Sequence, residues 1–376
     1  MRLLPFLSHG LPNTGHRCIA SQGGIVKSGR EKADPSPGVK KFQRLLRLSV
    51  LFSILLAACG LAEPQANPVQ TAMSLTLAAR PPASVTPLVT ETLDLSAPPR
   101  GKIAYVCQFS KLMRREQICL INADGSGQRV LTPAGSYDDF FPSVTPDGQA
   151  VLFASDRGGR YQIYEIDLSN DTLTQLTNFD RLNAYAPTAS PDGSLIVFYG
   201  ISHGGQYPSN HNIWLMERDG ANPFQLTSLT GGGWDPVWSP DGTQIMFASQ
   251  VRGVPQLFII DADGSELRQV TDLSGVRGRN DWSVDGITLS TYIGEAWNRE
   301  IYVFDTNGGN LRQLTDGGNN LAPSFSPDGA WITFVSYRDH PSRPLGCEIY
   351  IMRVDGTDAR RLTDNDICDW QPRWGP

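Results

Sequence analysis

The chain has 376 residues and a formal net charge of −6, and its 37 glycines and 27 prolines beside 40% hydrophobic residues suit a core threaded by many turns. The charge is uneven: residues 1–100 carry 11 basic and 5 acidic side chains, and residues 101–376 carry 21 and 33. A globular part that acidic repels phosphate, which excludes nucleic acid as a partner.

Residues 1–38 show no periodicity and read as an unstructured extension. A basic segment follows, Lys40-Lys41-Phe42-Gln43-Arg44, then an apolar run over 48–58 broken only by two serines. A bilayer span needs about 20 apolar residues, so this run fits the core of an export signal over 39–58 instead. It ends in Leu56-Ala57-Ala58-Cys59-Gly60, which resembles the lipobox of bacterial lipoproteins. That resemblance implies cleavage before Cys59, lipidation of its thiol, and a protein anchored to the outer side of a membrane, in the periplasm or at the cell surface. A signal placed this far in implies that translation starts near Val39. Residues 59–99 are rich in Pro, Ala, Thr and Ser with almost no charge, and read as a disordered tether. Some 40 such residues have a root-mean-square span of about 35 Å.

From residue 100 onward one turn keeps returning. It is Thr145-Pro146-Asp147-Gly148, then Ser190-Pro191-Asp192-Gly193, Ser239-Pro240-Asp241-Gly242, the degraded Ser283-Val284-Asp285-Gly286, and Ser326-Pro327-Asp328-Gly329. The spacings of 45, 49, 44 and 43 residues mark an array of one supersecondary unit. Proline presets φ, aspartate bonds nearby backbone and glycine accepts positive φ, so each turn joins two antiparallel strands. A third strand follows around Ile163-Tyr164, Ile213-Trp214, Leu257-Phe258, Ile301-Tyr302 or Ile349-Tyr350. After an Asp-Gly or Asn-Gly turn, each unit closes on Leu-Thr or Val-Thr, at Thr132, Thr177, Thr227, Thr271, Thr315 and Thr363. Four short strands per unit is the composition of a propeller blade.

Six closures stand against five turns. No first strand precedes Lys102-Ile103-Ala104-Tyr105, whereas Trp370-Gln371-Pro372-Arg373-Trp374 matches the first strand Trp234-Asp235-Pro236-Val237-Trp238. The expected fold is therefore all-β: a six-bladed propeller over 100–376, whose C-terminal strand completes the first blade and removes the open sheet edges. The Ser-Pro-Asp-Gly turn, the Ile-x-Phe and Ile-Tyr strands and the Leu-Thr closure together resemble the TolB-like, WD-repeat-like propeller family.

Four cysteines remain in the propeller. Blade alignment puts Cys107 and Cys119 opposite each other across two strands, and Cys347 and Cys368 in loops of one face, where a bridge would staple the closure; four free thiols is the alternative. No glycine-rich phosphate loop, nucleophile elbow or zinc-protease motif occurs, so no cofactor is expected and the chain reads as non-enzymatic. Asp261-Ala262-Asp263-Gly264 and Asn122-Ala123-Asp124-Gly125 faintly resemble calcium loops but read as hairpin turns. His203, His211 and His340 fall in loops on one face. Some TolB-like lyases hold a divalent metal with such histidines, but here the three read as solvated loop residues.

Two residues before the inner-strand proline lie Phe140, Tyr185, Trp234, Leu321 and Trp370. Pointing inward, their rings would line one mouth of the channel and suit a peptide or a glycan; packing between blades is the other reading. Trp238, Trp282 and Trp374 are expected in the blade cores. The functional expectation is a monomeric, membrane-anchored propeller that binds a protein or peptide. The alternative is a propeller-type polysaccharide lyase or hydrolase with its site at the channel mouth.

Overall fold

The computed structural model describes residues 96–108, 115–204, 210–339 and 346–376. The chain divides into Met1–Gln65 and Ala66–Pro376, and every described residue belongs to the second unit. The expected extension, export signal, Cys59 anchor, most of the tether, and His340 lie outside the described residues.

Six four-stranded antiparallel sheets form the propeller. Blade 1 is made by Lys102–Gln108, Glu116–Asn122, Arg129–Val130 and the C-terminal strand Trp370–Gly375. In that closing strand Trp374 pairs with Ile103 and Trp370 with Val106. Blades 2 to 6 run in chain order, starting at Asp139, Leu182, Trp234, Asp281 and Asn320. The ring is therefore closed one-plus-three, as expected from the missing sixth turn.

Local chemistry explains the repeat. In the turn at Ser190, the hydroxyl donates to Asp192 (2.6 Å) and accepts the Leu195 N–H (3.0 Å), while Gly193 takes a φ of +71°. The same pattern recurs at Thr145, Ser239 and Ser326. At the turn of Ser283, which lacks the proline, Asp285 accepts the N–H groups of Ile287 and Thr288, and the Gly286 N–H still bonds the Ser283 carbonyl (3.0 Å).

Because blades stack face to face, the second strands are buried on both sides rather than alternately; Ala150–Ser155 and Trp331–Ser336 are buried at every position. The outermost strands are only two or three residues long, which limits the edge open to another chain. Trp238, Trp282 and Trp374 are buried.

Both expected disulfides are present, with Cα–Cα separations of 5.8 Å for Cys107–Cys119 and 4.4 Å for Cys347–Cys368. The first is not the directly opposed pair that alignment suggested. Cys107 lies opposite Gln117 and Cys119 opposite Tyr105, so the bridge runs on the diagonal. The expected pairing is off by two residues of register: in blade 2 Ser155 lies opposite Gln162, and Tyr164 opposite Phe153.

Candidate functional site at the channel mouth

In a four-stranded antiparallel blade the Ser-Pro-Asp-Gly and Asp-Gly turns share one face. The loops between second and third strands, and those feeding each first strand, share the other. The second face carries the aromatic candidates and forms the mouth of the channel.

A residue of positive φ lies in or just before each inner strand. Phe141, Ala186, Asp235, Ala322 and Gln371, each directly before a proline, have φ between 49° and 56°, and Arg279, before Asn280, has 58°. Strand register slips at this point in blades 1, 2, 3, 4 and 6. Proline cannot donate to the ladder, and the bulge absorbs that missing bond.

These residues meet across the axis. Gln371 of blade 1 accepts the Phe141 N–H of blade 2 through Oε1 (2.8 Å). Arg279 of blade 5 donates to the Gln371 carbonyl (3.0 Å), while its guanidinium lies 5.3 Å from the centre of the Phe141 ring. Arg373 of blade 1 reaches blade 5, donating to the Asn280 carbonyl (2.9 Å) and pairing with Asp281 (3.1 Å). Asp235 accepts the Arg279 N–H (3.0 Å). Blades 1 and 5, like 2 and 5, are not neighbours, so these side chains plug the channel. Burial pushes the Asp235 carboxyl up against the pull of Arg279 and Arg373, and burial beside Arg373 lowers Arg279 to about 9.

Above the plug runs a row of rings. Trp370 meets Phe140 edge-on at 5.6 Å, Phe140 lies 5.9 Å from Tyr161, Tyr161 lies 4.9 Å from Tyr185, and Tyr185 stacks on Tyr199 at 5.3 Å. His211 continues the row, 6.2 Å from Tyr199. Phe140 and Tyr185 are only 4% and 5% exposed, so these two belong to the packing between blades. Trp234 and Trp370 are half-buried and keep part of their rings at the mouth; Leu321 is half-buried too. His203 is exposed at the end of its strand. Among the described residues no three of His, Cys, Asp and Glu converge closely enough to hold a metal ion.

Sequence reasoning missed Tyr161, Phe141, Asp235, Arg279 and Gln371. The signal was available, because the residue before the inner-strand proline varies as Phe, Ala, Asp, Ala and Gln inside an otherwise regular repeat.

Two overlapping matches to the TolB beta propeller domain, over 186–345 and 267–376, together cover 191 of the 376 residues. The chain belongs to the TolB beta propeller domain family. The crystal structure of TolB from Acinetobacter baumannii is similar to it with a TM-score of 0.63 and 25% identity, covering 73% of this chain and 67% of that one. The Tol-Pal system protein TolB of Francisella tularensis is 24% identical over 161 residues, which is 42% of this chain and 36% of that protein. This TolB-like chain thus spans under half the length of the curated relatives it matches. The hydrazine synthase of Kuenenia stuttgartiensis, at 17% identity, has a similar fold over 73% of this chain and 46% of its own, with a TM-score of 0.61. Propellers of one shape therefore serve unrelated ends, and the site must decide function.

Proposed function

We propose that this protein is an exported, membrane-anchored propeller that recognises a protein or peptide partner at the mouth bearing Trp234 and Trp370, without catalysing a reaction. The observation that carries this reading is the plug. Arg279 bonds Gln371 and Asp235, Arg373 bonds the Asn280 carbonyl, and Gln371 bonds the Phe141 N–H, so these side chains fill the channel. What is left above them is a shallow floor with half-exposed aromatic rings. Large rigid rings over a polar floor give contact area at small entropic cost, which suits a peptide segment. The likeness to TolB of the Tol-Pal system supports a protein partner. The lipobox-like Leu56-Ala57-Ala58-Cys59 supports a lipid anchor on the outer side of a membrane, with the tether carrying the propeller clear of it.

Crosslinking in intact cells tests the reading. A partner captured by the wild type should be lost from Trp234→Ala and from Trp370→Ala, since truncating an aromatic anchor typically costs about 2 kcal/mol, some thirtyfold in affinity. Both variants should keep a melting temperature close to the wild type. If they stay folded and capture the partner normally, the site is elsewhere. The anchor has a separate test: labelled fatty acid should enter the wild type but not Cys59→Ala.

A further inference from the structure

We propose that the blade 5 corner of this mouth binds a carboxylate of a peptide segment that is acidic at one end, through the guanidinium groups of Arg277 and Arg299 beside the rings of Trp297 and Tyr337. This deepens the peptide-recognition reading and rests on it.

Blade 5 breaks the repeat where the fold has no need of it. Val284 replaces the turn proline, Arg279-Asn280 replaces the usual residue before proline and the proline itself, and the inner strand shrinks to Asp281–Trp282. Its second and third strands lengthen to eight residues each, Thr288–Glu295 and Asn298–Asp305, against six in blades 2, 4 and 6. With as many residues as the hairpins of blades 2 and 4, this one stays paired up to a two-residue turn, Ala296-Trp297. At its tip Trp297 holds a φ of +68° and is 56% exposed, touching Tyr337 edge-on at 5.4 Å. A β-hairpin tip seldom strains a tryptophan into solvent for packing alone, and sites that break local rules are often functional.

The two arginines are poorly neutralised. Arg277 lies in the loop tied to the hairpin by the Val276–Ile293 bridge, and its only carboxylate contact among the described residues is Glu295 at 3.8 Å. The Glu295 side chain is 87% exposed, so that pair is solvated and weak. Arg299 sits across the hairpin from Gly294, 6.0 Å from the centre of the Tyr292 ring, and makes no ion pair among the described residues. The Nε of each finds no hydrogen-bond acceptor, as does that of the buried Arg279 behind them. Arg157 and Arg373, by contrast, are matched, to Asp139 and Asp281. The Val276–Ile293 bridge and the Gly294–Arg299 pairing bring Arg277 and Arg299 to one end of the hairpin, and the Asp235–Arg279 bond lies in the loop that carries Arg277.

A planar guanidinium fork matches a carboxylate bidentately, which sets the ligand chemistry. On the opposite side of the mouth Asp156 accepts the Asp138 N–H and makes no ion pair among the described residues, whereas Asp138 itself is matched by Arg115 (3.0 Å). Such a bipolar mouth repels a ligand acidic along its whole length, such as a polyuronate. It orients a chain whose carboxylates lie at one end.

The probe is a fluorescein-labelled octapeptide with two lysines at one end and two glutamates at the other, titrated into the full-length protein by anisotropy. Amidated and free C-terminal forms separate side-chain carboxylates from the terminal one. Arg299→Gln should weaken binding about tenfold and Arg277→Gln severalfold, whereas the exposed blade 4 variant Arg252→Gln should bind as wild type. If Arg299→Gln unfolds, Arg277→Gln carries the test. Equal binding of a glutamine-for-glutamate peptide, or full competition by oligogalacturonate, would overturn the proposal. Loss of a captured cellular partner from Trp234→Ala but not from Arg299→Gln would remove this corner and leave the mouth reading standing.

Discussion

Six threonines do the same work in this molecule, and none is replaceable by a shape alone. In blade 4 the Thr271 hydroxyl accepts the Leu257 N–H (2.9 Å) and donates to Gln256 Oε1 (2.6 Å), while Gln256 Nε2 donates to the Leu273 carbonyl (2.7 Å). The same accepted N–H recurs at Thr132, Thr177, Thr227, Thr315 and Thr363. Each latch closes the outer strand onto the third strand where only two or three residues pair, so the ladder there is too short to hold by itself. Thr271→Val keeps the volume but strands a buried N–H, which costs about 1–3 kcal/mol. A melting temperature lower by about 2–12 °C is expected in calorimetry, given about 2–4 °C per kcal/mol for a domain of this size. Thr271→Ser loses a methyl group and keeps both bonds, so it should sit nearer the wild type. A valine variant melting with the wild type would show that the latch contributes nothing.

The strands were readable in the sequence because their chemistry repeats: a polar turn that must take positive φ, then apolar runs buried on both faces. The closure was readable for the same reason, as Trp370-Gln371-Pro372-Arg373-Trp374 has the pattern of a first strand without a blade of its own. What stayed hidden depends on neighbours far apart in sequence. The burial of Phe140 and Tyr185 needs Tyr161 and Trp370 beside them, and the plug joins Phe141 to Gln371 across 230 positions. The diagonal Cys107–Cys119 bridge escaped for a local reason, the register of one hairpin. At the closing strand the chemistry gathers: Cys347–Cys368 bridges the loop feeding it, the Asp369 N–H bonds the Cys347 carbonyl (2.8 Å), and Trp374 Nε1 bonds the Arg100 carbonyl (2.7 Å). A disulfide closing a loop of this size is worth about 3 kcal/mol on the chain-entropy argument. Removing residues 370–376 should therefore lower stability far more than replacing Cys347 and Cys368 together by serine. Comparable melting of the truncated and full-length proteins would refute the closure as the ring's main clasp.

Across the whole propeller, two populations of carboxyl groups oppose each other as pH changes. The turn aspartates Asp147 and Asp355 are held below the usual range, first by the side-chain hydroxyls of Thr145 and Thr357. Groups depressed in the folded state add stability that is present above their unfolded pKa, near 4, and lost as pH falls below it. Their exposure makes each contribution small. The buried carboxyls act the other way. Glu116 is raised to about 8, first by burial and then by its bond to Asp138, and Asp369 to about 7 by burial and the charge of Glu348. The folded state prefers these two protonated, so the stability they add is complete below their unfolded pKa and disappears as pH rises through 7 and 8. The sum is a molecule most stable in mildly acid solution. Melting temperature should peak near pH 5, decline toward pH 8, and fall again below pH 4. Glu116→Gln keeps a neutral, bonded group in the same place and should flatten the decline between pH 5 and 8 without moving the acid limb. A wild-type melting temperature that rises from pH 5 to 8 would contradict the sign of the argument, and an unchanged slope in Glu116→Gln would shift the cause to Asp369, for which Asp369→Asn is the matching test.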